Sequence, residues 1–343
     1  MKIIICIFAD DVHLKDGINT IIIFSNIYHV IELISNKYKN MLNKLIAAIL
    51  PLMPQKLVWI FSKRYIAGQT LGEAIKIAEK LNDEGNVTTI DLLGEFITEL
   101  SQAKNNRDEY IEIIEAVEKS DVVGNYSLKP TMFGLLIDKD VCYEYIRDIV
   151  VKAVEYNNFV RIDMEDSQCV DLEIELFRKL KKEFPKNVGL VLQAYLHRTM
   201  QDIDDMMDMH SDDNPINYRL CKGIYVESEK IAYKKYEEIN EHYLKDLEHM
   251  FKNGVYPGIA THDEKLVNGA YKLIEKYKVP KDKFEFQMLY GVTPGLRKSI
   301  LDKGYKMRIY TPFGKQWFAY STRRLKENPK MAQEIIKALF VRG

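Results

Sequence analysis

The chain has 343 residues, enough for one large domain or two ordinary ones, and its 49 Lys and Arg against 50 Asp and Glu leave a formal charge of −1. That balance excludes a dedicated nucleic-acid binder, which carries a basic excess, and 47% hydrophobic with 29% charged residues excludes global disorder. Four cysteines (Cys6, Cys142, Cys169 and Cys221) are widely spaced, form no C-x-x-C pair, and read as reduced thiols of a cytosolic protein.

At the N-terminus, Ile3 to Ala9 is a short apolar run stopped by Asp10 and Asp11. It lacks the length and the small-residue cleavage site of a secretory signal. Leu45 to Phe61 is also apolar, but Pro51, Pro54, Gln55 and Lys56 interrupt it. A spanning helix needs about 20 predominantly apolar residues, so the run reads as amphipathic helices packed on the main domain, with peripheral attachment to a bilayer as the alternative. Residues 1–40 are rich in Ile and Asn and carry no motif; Met41 opens a more ordinary stretch. The expectation is a non-native or poorly structured extension over 1–40, with Met41 the candidate start. A helical segment is expected over 41–85 and a catalytic domain over 86–343.

A regular pattern begins at Thr70-x-x-Glu73, a capping box that predicts a helix running to Gly85. Strand-like runs follow at Val87–Leu92, Val122–Leu128, Phe159–Asp163, Val188–Gln193, Tyr218–Cys221, Gly258–Thr261, Phe284–Gln287 and Lys306–Tyr310. Between them lie stretches of helical spacing such as Asp140–Tyr156, Val170–Lys182 and Glu229–Phe251. Strict alternation implies parallel strands with right-handed crossovers. Eight units over about 250 residues predict an α/β (β/α)8 TIM-like barrel preceded by N-terminal helices; an open doubly wound sheet is the competitor. No G-x-G-x-x-G follows the first strand and no phosphate-binding P-loop occurs, which favours the barrel.

Polar residues gather at the C-terminal ends of the strands, where barrel enzymes hold their chemistry. They are Lys129, then Asp163-Met164-Glu165-Asp166, Gln193 with Tyr195, Arg219 with Lys222, Gly223 and Tyr225, Thr261-His262-Asp263, Gln287 with Tyr290, and Tyr310. A charge in a buried strand costs several kcal/mol unless paired. Asp163 beside Arg161, and Arg219, are therefore either an internal bridge closing the barrel or parts of a functional mouth. Thr311-Pro312 reads as a cap and first residue of the helix that carries Tyr320, Arg323 and Arg324. The arginine pair either meets acids such as Glu327 or captures a carboxylate or phosphate through its guanidinium forks. Thr261 and His262 at a helix start, with Lys222-Gly223, suit a phosphate; a simple N-cap is the plainer reading. Two phosphate seats and a carboxylate clamp point to hydride transfer between a small acid and a dinucleotide.

Two other chemistries stay open. Asp163, Glu165, Asp166, His262, Asp263 and Glu285 could ligate a metal, although only one histidine lies at a strand end. Lys129 or Lys222 could form a Schiff base, giving a lyase or hydrolase of a small carboxylate. A non-catalytic barrel is the third class.

The strings RYIAGQTLGEAI, TIDLLGE, SLKPTMFGLLID, VRIDMEDS, VLQAYLHRT, YRLCKGIYVE, IATHDEKL, FEFQMLYGV and RIYTPFGKQWFAYSTRRL resemble, in order, the signature segments of proline dehydrogenases. The resemblance runs from about Phe61 to Leu325, and the length suits the monofunctional bacterial form. It implies a (β/α)8 barrel that binds FAD and oxidises L-proline to Δ1-pyrroline-5-carboxylate, the first step of proline degradation to glutamate, with electrons passed to quinone. By the family pattern Lys129, Arg323 and Arg324 bind the proline carboxylate, and Tyr225, Leu289 and Tyr310 pack around the ring. Asp163 and Arg219 are the central polar residues beside the flavin. Met164, Gln193, Lys222, Gly223, Ile224, Thr261 and His262 match flavin-contacting positions. The resemblance also implies a cytoplasmic enzyme, with peripheral membrane contact as the route to quinone and pyrroline-5-carboxylate dehydrogenase as functional partner. One departure is Pro130 after Lys129, where Leu is the commoner residue; Pro restricts Lys129 to extended geometry.

Overall fold

The computed structural model describes residues 55–94 and 96–327; the side chains of Arg323 and Arg324 are among those at its ends that fall outside the description. The expectations for residues 1–40 and for Met41 also lie outside the described residues. Lys56–Tyr320 forms one unit.

Two helices lead in, α1 (Gln55–Ser62) and α2 (Leu71–Asp83). The capping box at α2 is formed as the sequence predicts: the Glu73 amide donates to Thr70 Oγ1, and the Thr70 amide donates to Glu73 Oε2. The strand β1 (Val87–Leu92) and helix α3 (Leu100–Glu118) follow, then β2 (Gly124–Leu128) and α4 (Lys139–Glu155). Next come β3 (Val160–Ile162), α5 (Val170–Glu183), β4 (Val188–Gln193), α6 (Thr199–Asp205), β5 (Asn217–Cys221) and α7 (Tyr236–Lys252). The chain continues with β6 (Tyr256–Ala260), α8 (Glu264–Tyr277), β7 (Glu285–Leu289), α9 (Pro294–Asp302), β8 (Met307–Phe313) and α10 (Trp317–Glu327). All eight strands pair in parallel with their chain neighbours, and β8 returns to β1 through Thr89 opposite Tyr310, so the sheet is a closed barrel. The expected barrel is therefore present, not the open sheet.

Alternate residues of each strand face opposite sides. The outward set is apolar: Ile90, Tyr126, Ile162, Leu190, Leu220, Ile259, Phe286 and Ile309 are buried under the helices. Helical residues such as Ile113, Ile146, Phe177 and Leu247 meet them there in one continuous core. The inward set is largely polar and is identified by its hydrogen bonds inside the barrel, such as Thr89 to Asn125 on the neighbouring strand at 2.6 Å and Arg219 on β5 to Gln287 on β7 at 2.7 Å. A barrel of this kind is more often filled with branched apolar side chains. Here burial of charge in the interior is offset by pairing, and the pairing prefigures the site.

Two boundaries differ from the sequence expectation, and Pro130 falls outside the sheet. Thr311 and Pro312 belong to β8 and are not a helix start. The Thr311 hydroxyl donates to Thr89 O in β1, and Pro312 O accepts from the Ala67 amide, so sheet pairing claims both residues. Residues 229–235 precede α7, because the Tyr233 amide bonds to Tyr195 O and Ala232 bridges Leu196, which lays this segment against the loop after β4. Pro130 lies past the end of β2, where it opens a short 3-10 turn, Pro130–Phe133, and removes no sheet hydrogen bond.

The inner face of α7 carries one carboxyl. Asp246 is buried, and its Oδ2 has no partner among the described residues. Burial pushes its pKa up to about 7, against a smaller opposing pull from Lys245. A folded-state pKa raised above the unfolded one makes ionisation destabilising, so stability is lost as pH rises from about 4 through 7. Asp246→Asn is expected to stabilise the fold by about 2–4 kcal/mol at pH 8 and by almost nothing at pH 4. Denaturant titration at the two pH values checks this; equal midpoints for the two proteins at pH 8 would refute it.

Candidate active site

The strands β1, β2, β3, β5, β7 and β8 and the residues just beyond them deliver seven polar side chains to one connected cluster. Asp163, just beyond β3, accepts from Ser127 at 2.5 Å and from Arg219 Nη1 at 2.8 Å through Oδ1, and from the Tyr310 hydroxyl at 3.0 Å through Oδ2. Arg219 also donates through Nε to Gln287 Oε1 at 2.7 Å, and its guanidinium lies over the Tyr310 ring at 5.1 Å. Lys129 Nζ reaches Asp91 at 2.9 Å, the Tyr310 hydroxyl at 3.3 Å and Asp163 at 3.8 Å. Each cation thus has at least one carboxylate, the condition under which burial of such charges is tolerated.

Protonation follows from that geometry. Burial alone would lower the pKa of Lys129, but the charges of Asp91 and Asp163 outweigh it and hold the amine charged. A Schiff-base nucleophile must be a neutral amine, so Lys129 is unsuited to that chemistry. Burial, reinforced by Asp163 and Asp91, pushes the Tyr310 phenol well above its ordinary range, so it remains a donor. The mouth therefore keeps an ammonium and a phenol across the neutral range.

Beside this cluster lies a second one. Lys222 Nζ sits 2.6 Å from Asp263 Oδ2 and 4.4 Å over the Tyr236 ring. Burial alone would raise the pKa of Asp263, but the bond from Lys222, with those that Tyr236 and Asn240 donate to the same oxygen, outweighs it and holds the carboxyl well below the usual carboxylate range. Asp263 also N-caps α8 by accepting from the Lys265 amide at 3.0 Å. Gly223 has φ +103, and a Cβ there would stand 2.1 Å from the Tyr195 ring. Only glycine can take that backbone through so narrow a gap. The next residues turn apolar side chains outward: Ile224 is 52% exposed and Val226 98%. Gln193 is buried and donates to Glu165 O at 2.8 Å. His262 is oriented by the Leu289 amide, which donates to Nε2 at 3.3 Å, and by Thr293 near Nδ1.

A profile of the proline dehydrogenase family matches residues 74–337. The chain belongs to the proline dehydrogenase family. Proline dehydrogenase 2 of Bacillus subtilis (strain 168) is 38% identical over 266 residues, which cover 78% of this chain and 86% of that protein. Proline dehydrogenase of Deinococcus radiodurans is 34% identical over 286 residues, 82% of this chain and 91% of that one. Among solved structures, proline utilization A from Bdellovibrio bacteriovorus, inactivated by N-propargylglycine, superposes with a TM-score of 0.76 at 26% identity. The match covers 84% of this chain and 36% of that longer one.

Within this proline dehydrogenase barrel, the sequence-expected residues fall into four groups. Lys129, Asp163, Arg219 and Tyr310 meet directly. Lys222, Gly223 and Ile224 with Thr261 and His262 flank them on the ends of β5 and β6, with Tyr225 in the loop after β5. Met164 and Gln193 are buried behind the mouth, and Leu289 ends β7. Arg323 and Arg324 lie on α10, and their side chains fall outside the described residues. Arg161 does not bridge Asp163; that partner is Arg219, because Arg161 sits at the other end of the barrel and bonds Asn217. Glu285, weighed as a metal ligand, is likewise remote and is held by Arg308 and Lys306. Asp91 and Ser127 were not singled out from sequence. A lone Asp in the β-branched run VTTIDL was the available signal, since a charge inside a buried strand requires a partner.

Proposed function

We propose that this chain oxidises L-proline to Δ1-pyrroline-5-carboxylate with FAD as cofactor. The observation that carries the reading is the Asp91–Lys129–Tyr310–Asp163–Arg219 cluster at the mouth of a proline dehydrogenase barrel. The residues present fit a flavin dinucleotide: Gly223 leaves room for close backbone approach, Lys222 and Thr261 offer cation and hydroxyl for phosphate, and Ile224 and Val226 offer exposed apolar contact. When bound, FAD accepts the two electrons and the hydrogen removed from proline C5.

The protein's part is binding and orientation. Lys129, with Arg323 and Arg324 assigned from the sequence motif, binds the substrate carboxylate. Tyr310, Tyr225 and Leu289 pack around the pyrrolidine ring. Asp163 fixes Arg219 and Tyr310 in place, and Arg219 would offer positive charge to the flavin when it is bound. Met164, Gln193, Gly223, Ile224 and His262 complete the cofactor's surroundings. Fixing the reacting atoms in a near-attack arrangement is worth about 7–11 kcal/mol of barrier in favourable cases.

Reoxidation by membrane quinone in a cytoplasmic enzyme, through peripheral contact of the N-terminal helices, belongs to the same proposal. So does transfer of product to a pyrroline-5-carboxylate dehydrogenase. Among the described residues no helix is long and apolar enough to cross a membrane. An anaerobic visible spectrum of the purified protein tests the core of the reading. Flavin absorption that bleaches on addition of L-proline is expected. Flavin bands that persist would remove proline as substrate, and absence of flavin after reconstitution with FAD would remove the cofactor.

A further inference from the structure

A cavity of about 350 Å³ lies at the N-terminal end of the barrel, opposite the catalytic mouth. Among its lining residues are Arg161, Arg308, Lys306, Asn125, Asn217 and Glu285. Glu285 is fully engaged: Arg308 Nε at 2.6 Å, Lys306 Nζ at 3.0 Å and Gln287 Nε2 at 2.8 Å all meet it. The other acid at the cavity, Asp282, is on the exposed rim.

Arg161 is different. It is 2% exposed, stacks on Phe159 at 4.9 Å, and forms no ion pair among the described residues. Its Nη1 donates to Asn217 O at 2.7 Å and Leu190 O at 3.3 Å, and its Nη2 donates to Asn217 Oδ1 at 2.6 Å. Nε has no partner. The guanidinium has five N–H donors, so Nε–H and one Nη2–H remain unused, the edge that takes an oxyanion side-on. Gly189 makes room for the group, since a Cβ there would stand 2.4 Å from Nη1. Asn125 accepts from Thr89 and Asn217 from Arg161 through their Oδ1 atoms, while their Nδ2 donors have no acceptor among the described residues.

We propose that this cavity binds a small oxyanion, with inorganic phosphate the simplest member of the class, held by Arg161, Lys306 and the side-chain amides of Asn125 and Asn217. The donors outnumber the acceptors, and the one inward carboxylate is already shared by two cations and an amide. A buried guanidinium without a carboxylate is costly, and an anion relieves that cost. Burial, with Arg219 and Arg308 nearby, pushes Arg161 down to about 9, the direction expected of a cation lacking its counter-charge.

The test is thermal unfolding of the full-length, FAD-loaded protein in inorganic phosphate against chloride at matched ionic strength. A saturable rise in Tm with phosphate is expected, with about a tenfold higher half-saturating concentration in Lys306→Gln and no rise in Arg161→Gln. Lys306 is half-exposed, so its variant folds and carries the test if Arg161→Gln does not. Proline oxidation by Lys306→Gln is expected to match the parent, because the site is remote from the mouth. Identical Tm values in phosphate and chloride would overturn the assignment. A phosphate-dependent rise unchanged by Lys306→Gln would overturn it equally, placing the anion elsewhere, such as at the cofactor's phosphate seat.

Discussion

Arg219→Met is expected to lower kcat/KM for L-proline at least a thousandfold, about 4 kcal/mol of transition-state stabilisation. Arg219 donates to Asp163, Ser127 and Gln287 at once, so no single neighbour can replace it. Methionine keeps the length of the side chain but leaves the Asp163 carboxylate without its closest cation. Removing one member of a buried pair costs about 3–5 kcal/mol, so a lower Tm accompanies the kinetic loss. The decisive readout is the anaerobic half-reaction with proline, followed at the flavin absorption band. Flavin reduction at the parent rate would show that Arg219 is structural only, whatever the Tm. Arg219→Lys is expected to restore stability in part and rate little, because a point charge cannot serve three acceptors as a planar fork does.

Lys129→Met is expected to raise KM for L-proline about a hundredfold while leaving bound flavin in place. The ammonium is the described cation closest to both Asp91 and Tyr310, and a substrate carboxylate needs such a charge where water is scarce. The single substitution also strands Asp91, which is fully buried, so a fall of about 3–5 kcal/mol in stability is expected. The double variant Lys129→Met, Asp91→Asn separates the two effects. It should recover most of the stability and none of the proline affinity. Recovery of KM in the double variant would show that Lys129 matters only as the partner of Asp91. A Tm left unchanged by the single variant would contradict the buried pair itself.

The barrel was legible because its signal is periodic. Eight short strand-like runs alternate with helical spacing, and the outward half of each strand is apolar enough to read without a partner. The missed boundaries have one cause: pairing decided at a distance. Thr311 and Pro312 look like a helix start locally, yet β1 claims them for the sheet. Site residues at strand ends were legible because charge in a buried strand has to be explained. Their partners were not. Nothing local distinguishes Arg161 from Arg219 as the mate of Asp163, since closure of the barrel alone decides which cation faces which acid. Asp91 was hidden for the same reason, its partner Lys129 being 38 residues away.

The interior hydrogen bonds join end to end. From Thr88 O the links run through Arg308, Glu285, Gln287, Arg219, Asp163, Tyr310 and Lys129 to Asp91. Such a column constrains descent as well as folding. An apolar core drifts by single conservative steps, because volume is shared among many neighbours. Here a single replacement leaves its polar partners unsatisfied, so viable routes between related sequences pass through paired exchanges. Engineers who wish to reshape the mouth should therefore vary these positions jointly, because libraries built one residue at a time will sample mostly destabilised proteins.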